Sequence, residues 1–274
     1  MLDEAYKGGY AVGSYNVYNY ETMRGVIEAS QELRFPVIVA FGHKYLENMS
    51  LECAFAIASS LEKDAGIPVC LHLDHCKDID TIYRAVRAGF TSVMYDGSEL
   101  TFEENVRNTM LVCEVAHACG VSVEAELGSI KAGDYSHEGG EDDKEIFTDP
   151  LKALEFVERT GVDALAVSIG TVHGVYKGKP EIRTDILRRI NEKLCIPLVL
   201  HGGSGTPEDK LLECISNGIC KININTEISM HTVECTGKYL AGHSPHLSVL
   251  ALKQVGYIKE VVKKYAELFM NKGG

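Results

Sequence analysis

"LHLDHC", residues 71–76, ends an apolar run in two histidines, an aspartate and a cysteine. Such groups serve as metal ligands, as acid–base catalysts, or as hydrogen-bonded interior residues. Two more histidines close apolar runs downstream, His173 in "IGTVHG" and His201 in "VLHGGSG". Three neutral imidazoles meeting at one point, with a fourth position open, hold a catalytic Zn2+. His75, His173 and His201 are the candidates. Any one of them alone reads more readily as a hydrogen-bonded core or rim histidine, and only the three together favour a metal. Asp96 in "MYDGSE" and Glu126 in "EAELGS" could hold an alternative or second metal position, or orient the ligating histidines. His72, inside the run, reads as a packed interior residue. Cys76 could be a thiolate ligand, but a lone cysteine beside a histidine is more often simply packed.

A second constellation suits an anion. "HGGSG" (201–205) carries Gly202 and Gly203, which let backbone N–H groups approach a phosphate, and a helix start follows at Pro207. "NINTE" (223–227) adds Asn223, Ile224, Asn225 and Thr226. Ser204, Asn223 and Thr226 supply donors, and the competing reading is an ordinary glycine turn. Asn16 joins the substrate-facing candidates at the end of the first strand. Lys177 in "VHGVYKGKP" is either a second charge partner or a surface lysine.

These residues need elements that bring them together. Apolar, β-branched runs recur at 10–16, 36–41, 68–75, 90–96, 121–127, 163–170, 196–203 and 219–225. Each is followed by an amphipathic stretch such as "DIDTIYRAVRAG" or "DPLKALEFVERTG". Asp149 and Pro150 read as an N-cap with proline at the first helical position, and Gly89, Gly120 and Gly161 as helix stops. The strands are continuous apolar runs, as in parallel sheets buried on both faces. The pattern predicts an α/β fold, a (β/α)8 TIM barrel forming a single domain over 1–274. A doubly wound sheet is the runner-up, disfavoured because polar residues close many strands rather than one switch point. In a barrel all C-terminal strand ends surround one mouth. Asn16, Asp74, His75, Asp96, Glu126, His173, His201, Asn223, Asn225 and Thr226 all fall there. The longest irregular stretch is 128–147, "GSIKAGDYSHEGGEDDKEIF", long enough to expect function.

A net charge of −12 and a pI near 5.3 argue against nucleic acid or an anionic membrane as partner. Nine cysteines without a CxxC read as reduced thiols. The N-terminus lacks a signal-peptide pattern and no apolar run is long enough to span a bilayer, so the expectation is a soluble, cytoplasmic protein.

"YAVGSYNVYN", "LHLDH", "VMYDGSELTFEENV", "EAELGSI", "ALAVSIGTVHGVYKGKP", "PLVLHGGSG" and "KININTE" together resemble the class II, zinc-dependent ketose-bisphosphate aldolases, in order and over essentially the whole chain. The resemblance implies a metal-dependent carbon–carbon lyase acting on fructose 1,6-bisphosphate or tagatose 1,6-bisphosphate. It implies zinc on His75, His173 and His201, and Asp74 as acid/base for the aldehyde half. Asp96 and Glu126 would mark a second or resting metal position. Gly174, Gly202, Ser204, Asn223 and Thr226 would bind the phosphate and hydroxyls of dihydroxyacetone phosphate. A monovalent cation, Na+ or K+, would sit beside that phosphate on carbonyls around Val172, Gly174, Gly202 and Ser204. The family's mobile loop carries a glutamate base; here its acidic motif is displaced, leaving Glu138, Glu141 or Asp134. Cys76 replaces a common glycine. Asn225 stands where fructose-specific members often place aspartate and tagatose-specific ones alanine, so another ketose phosphate stays open. The N-terminus is several residues shorter than usual. A homodimer or homotetramer is the default.

Three rivals remain at this point. Lys221 in the last strand could form a Schiff base, as in class I aldolases. A zinc hydrolase could share the fold. A non-catalytic barrel could bind a sugar phosphate without turning it over.

Overall fold

The computed structural model describes residues 1–136, 146–174, 176, 178 and 181–270. Eight strands form a closed barrel: β1 (Val12–Asn16), β2 (Val37–Gly42), β3 (Val69–Cys76), β4 (Ser92–Tyr95), β5 (Ser122–Leu127), β6 (Ala164–Val167), β7 (Leu198–Leu200) and β8 (Ile219–Ile224). Each pairs parallel with the next in sequence, and β8 returns to β1 through Val12↔Lys221 and Tyr15↔Ile224. This is the predicted TIM barrel. Six of the eight strands lie within a residue or two of the stretches expected for them, while β6 and β7 each end three residues sooner.

Local chemistry explains the punctuation. Asp149 accepts from the N–H groups of Leu151 and Lys152, both at 2.9 Å, with Pro150 opening the helix behind it. Thr101 and Glu104 form a capping box at the helix Phe102–Ala118. Gly89 and Gly161 close their helices in the left-handed conformation, at φ 107° and 66°.

Successive strand residues point to opposite faces, so alternate residues fill the barrel in layers. The base is apolar: Val12, Ile38 and Cys220 pack on Ala5 of the helix Leu2–Gly8, and Ala164, Ala166 and Val199 on Leu2. The next layer up is polar, with His72, Glu124 and Lys221 all buried. Above it, at the C-terminal mouth, come Asn16, Asp74, Glu126, His201 and Asn223. The remaining apolar faces pack outward against the helices in one large core.

The irregular stretch 128–147 holds more structure than expected. Lys131–Ala132 pair parallel with Val172–His173 as a separate two-stranded ladder, and Ser129 bridges Ile146. The loop is thereby anchored on the segment that carries His173. Among the described residues no helix is long and apolar enough to cross a membrane.

Candidate metal and substrate site

His75 reaches the mouth through a local defect. The β3–β4 register shifts between Leu73 and Cys76, and His75 adopts φ 46°. A regular strand would aim Asp74 and His75 at opposite faces; the irregularity brings both to the site. Histidine tolerates positive φ better than most residues, but the conformation is strained and belongs to a position the surroundings over-determine.

The three histidine rings meet edge to face. Ring centroids are 4.9 Å apart for His75–His173, 4.5 Å for His75–His201 and 5.8 Å for His173–His201. One ligand atom from each lies within 4.8 Å of the others, and His75, Asp96 and Glu126 form a second such group. His75 Nδ1 lies 3.2 Å from Asp96 Oδ2. His201 Nε2 faces Glu124 Oε1 at 2.9 Å, while its Nδ1 is buried with no hydrogen-bond partner. Burial holds His201 well below the usual imidazole range, so the ring is neutral, as a ligand must be. A buried, unsatisfied ring nitrogen among two other imidazoles fits a divalent cation.

The carboxylates are differentiated. Burial would raise Asp74, but the neighbouring His75 and Lys221, with the Asn16 bond, hold it below the ordinary range. Its Oδ2 accepts from Asn16 Nδ2 at 2.8 Å and its Oδ1 from Asn223 Nδ2 at 3.2 Å. Burial likewise pulls Asp96 up, and bonds from His75 and Ser98 more than reverse it. Glu126 is pushed well up by burial and by Asp96 beside it. Its Oε2 sits 3.5 Å from His201 Nδ1, also without a hydrogen-bond partner.

The anion loops converge on a helix start. Ser204 Oγ accepts from the N–H groups of Asn225 at 3.2 Å and Glu227 at 3.3 Å, at the head of the helix Thr226–Gly242. Gly202 has φ 69°, and a Cβ there would lie 2.3 Å from the Val172 carbonyl. At Gly174 a Cβ would lie 2.5 Å from the Asp134 carbonyl. The Gly203 N–H donates to the Asn223 carbonyl at 3.0 Å and the Ile224 side chain is fully buried, so these two shape the loop by packing. A cleft opens over the histidine cluster, lined by His75, Asp96, Glu126 and His173.

The sequence matches the class-II fructose-bisphosphate aldolase family over residues 1–274. The chain belongs to that family. It is 42% identical over 234 residues to the sulfofructosephosphate aldolase of Alkalicoccus urumqiensis, covering 85% of this chain and 81% of that protein. With the D-tagatose-1,6-bisphosphate aldolase subunit GatY of Klebsiella oxytoca the identity is 43% over 231 residues, 84% of this chain and 81% of that one. The crystal structure of the YdjI aldolase from Escherichia coli K12 superposes with a TM-score of 0.88 at 35% identity, covering 99% of this chain and 96% of that one. The protein is a class II aldolase, a lyase.

Most expected residues of the aldolase come together here. Glu138, Glu141 and Lys177 lie outside the described residues. Cys76 is buried, its thiol donates to the Asp78 carbonyl at 3.3 Å, and burial pushes it up to about 12, which suits packing rather than ligation. His72 is interior as read: burial lowers it to about 3, and Nδ1 lies 2.8 Å from Ser92 Oγ. The sequence reading missed Glu124, and it considered Lys221 only as an imine former. Lys221 Nζ instead donates to both Glu124 oxygens, at 3.0 and 2.7 Å. Parity along the strands was the available signal, since Glu124 is two residues from Glu126 and Lys221 two from Asn223.

Proposed function

We propose that this aldolase reversibly cleaves a phosphorylated ketose to dihydroxyacetone phosphate and an aldehyde, with Zn2+ held by His75, His173 and His201. Fructose 1,6-bisphosphate and tagatose 1,6-bisphosphate are the reference substrates, and the sulfofructosephosphate aldolase among the relatives adds sulfofructose phosphate to the set. The observation that carries the reading is the three-imidazole cluster beside a buried carboxylate clamped by two amides.

Bound Zn2+ would supply a Lewis acid for the ketone and hydroxyl oxygens, stabilising the negative charge left when the C3–C4 bond breaks. Asp74 takes the proton of the C4 hydroxyl in cleavage and returns it in synthesis. Its depressed acidity range keeps it ionised and ready to accept, and Asn16 and Asn223 fix its two oxygens. Glu138 or Glu141, with Asp134 as the third candidate, exchanges the proton at C3 of the triose. Gly174, Gly202, Ser204, Asn223 and Thr226 receive the phosphate at the helix N-terminus, where the helix dipole favours an anion. Lys177 would add a second charge, and carbonyls around Val172, Gly174, Gly202 and Ser204 would hold Na+ or K+. Asp96 and Glu126, with His75, provide a resting metal position. The protein works in the cytoplasm as a homodimer or homotetramer, which fractionation and sedimentation would test.

The decisive assay couples triose phosphate release from a panel of ketose phosphates to metal content on the same sample. Cleavage lost on chelation and restored by Zn2+ is the expected result. Undiminished cleavage by metal-free protein overturns the scheme, and borohydride trapping at Lys221 would replace it with an imine mechanism.

A further inference from the structure

We propose that the substrate end remote from dihydroxyacetone phosphate is an uncharged polyhydroxylated chain, received by an open cavity beside Tyr45. The assignment rests on the aldolase reading above and names its substrate class.

Position comes first. The phosphate lies at the loops after β6, β7 and β8, and Asp74 marks the C4 hydroxyl. Both amides that hold Asp74 come from one side, Asn16 on β1 and Asn223 on β8. We place the carbons beyond C4 on that side, toward the loops after β1, β2 and β8. Those loops line most of this cavity: Tyr18 follows β1, Tyr45 and Asn48 follow β2, and Asn225, Thr226, Ser229 and Glu234 follow β8, with Thr226 at the edge it shares with the phosphate loops. Tyr45 also lines the metal cleft, so its ring is the wall the two spaces share. It is braced there, against Tyr18 at 5.0 Å between centroids and by the Asn225 amide donating to its Oη at 3.0 Å.

Chemistry comes second. Tyr18, Tyr45 and Tyr135 offer aromatic surface with hydroxyl tips, and Asn48, Asn225 and Ser229 offer neutral donors and acceptors. Among the described residues the one charged lining group is Glu234, which pairs with Lys238 one turn on at 2.5 Å. A carboxylate accepts from sugar hydroxyls and repels a phosphate. Lys44 and Lys77 line the metal cleft and not this cavity, and Lys77 is paired with Glu99. A second phosphate placed here would lose its hydration without gaining a cation from the described residues.

The test runs in the condensation direction, with dihydroxyacetone phosphate and a set of aldehydes on metal-loaded enzyme. Glyceraldehyde, erythrose and threose should be used with kcat/KM at least about tenfold above glyceraldehyde 3-phosphate, because an unmatched charge costs more than a missing hydroxyl contact gains. Met230→Lys, and separately the more exposed Val233→Lys, place a cation on the cavity wall and should shrink that ratio. A wild-type preference for glyceraldehyde 3-phosphate overturns the assignment and leaves the aldolase reading standing. Ratios unchanged in both folded lysine variants overturn the cavity's role. No condensation with any aldehyde overturns the aldolase reading itself, and the assignment with it.

Discussion

Two sides of the barrel mouth are built on different principles. On the ligand side, groups from β3, β5 and β7 are ionisable and mostly buried, and the histidines are backed by buried carboxylates: Asp96 beside His75, and Glu124, paired with Lys221, beside His201. On the remote side, the loops after β1, β2 and β8 present tyrosines, amides and hydroxyls that are partly exposed and neutral. Buried charges lose much when one partner is removed, whereas neutral contacts at a rim lose little. The ligand side therefore sets whether the reaction runs, and the remote side sets on what.

The largest effects should separate chemistry from metal binding. His201→Ala removes the ring nitrogen that faces the cluster, and both metal content and turnover should vanish. Asp74→Ala should lower kcat by about 10²–10⁴-fold while zinc stays bound. Elemental analysis beside steady-state kinetics distinguishes them. Zinc lost from Asp74→Ala to the same extent as from His201→Ala would merge the two roles.

Next comes the support beneath His201. Glu124→Gln keeps the side chain's size but weakens the hold on Nε2–H, and metal affinity should fall about 10–100-fold. Lys221→Met leaves Glu124 charged and unpaired in the interior, costing about 3–5 kcal/mol of stability. Urea unfolding of metal-free protein reads the second, and titration against a chelator the first. Unchanged affinity in Glu124→Gln would reduce the pair to a structural plug.

Gly202→Ala tests the phosphate loop. At φ 69° with the Val172 carbonyl 2.3 Å from the new Cβ, the loop must move, at about 1–3 kcal/mol. KM for any ketose phosphate and the inhibition constant of inorganic phosphate should rise together by about tenfold, since 1.4 kcal/mol is a factor of ten. A KM that rises while phosphate inhibition is unmoved would place the phosphate elsewhere.

The two sides also differed in how far the sequence announced them. Barrel strands were readable because burial on both faces makes them continuous apolar runs, and Asp149-Pro150 announced its helix by cap chemistry alone. His75, His173 and His201 were readable because polar groups closing apolar strands share one end of a barrel. What brings His75 round was not, since a register shift and a positive φ leave no mark in composition. Glu124 and Lys221 hid in mid-strand, where a charge is tolerated only because the two lie opposite each other, 97 residues apart. β6 ended sooner than expected, at Val167, before Gly170 turns at φ 105° with the Glu181 carbonyl against it. The Asn225–Tyr45 bond joins residues 180 apart and was beyond local pattern.

The smallest effect is the sharpest probe of the remote side. Tyr45→Phe keeps the ring that packs on Tyr18 and removes only the oxygen that accepts from Asn225. One neutral, half-buried hydrogen bond is worth about 1 kcal/mol, so kcat/KM should fall about fivefold. The loss should fall on the aldehyde in condensation, with the KM of dihydroxyacetone phosphate and the metal content unchanged, because Tyr45 lines the wall beyond C4 and is itself neither a metal ligand nor a phosphate-binding residue. If instead both substrates weaken equally, Tyr45 is bracing the whole mouth, and the division between a side that reacts and a side that selects does not hold at this residue.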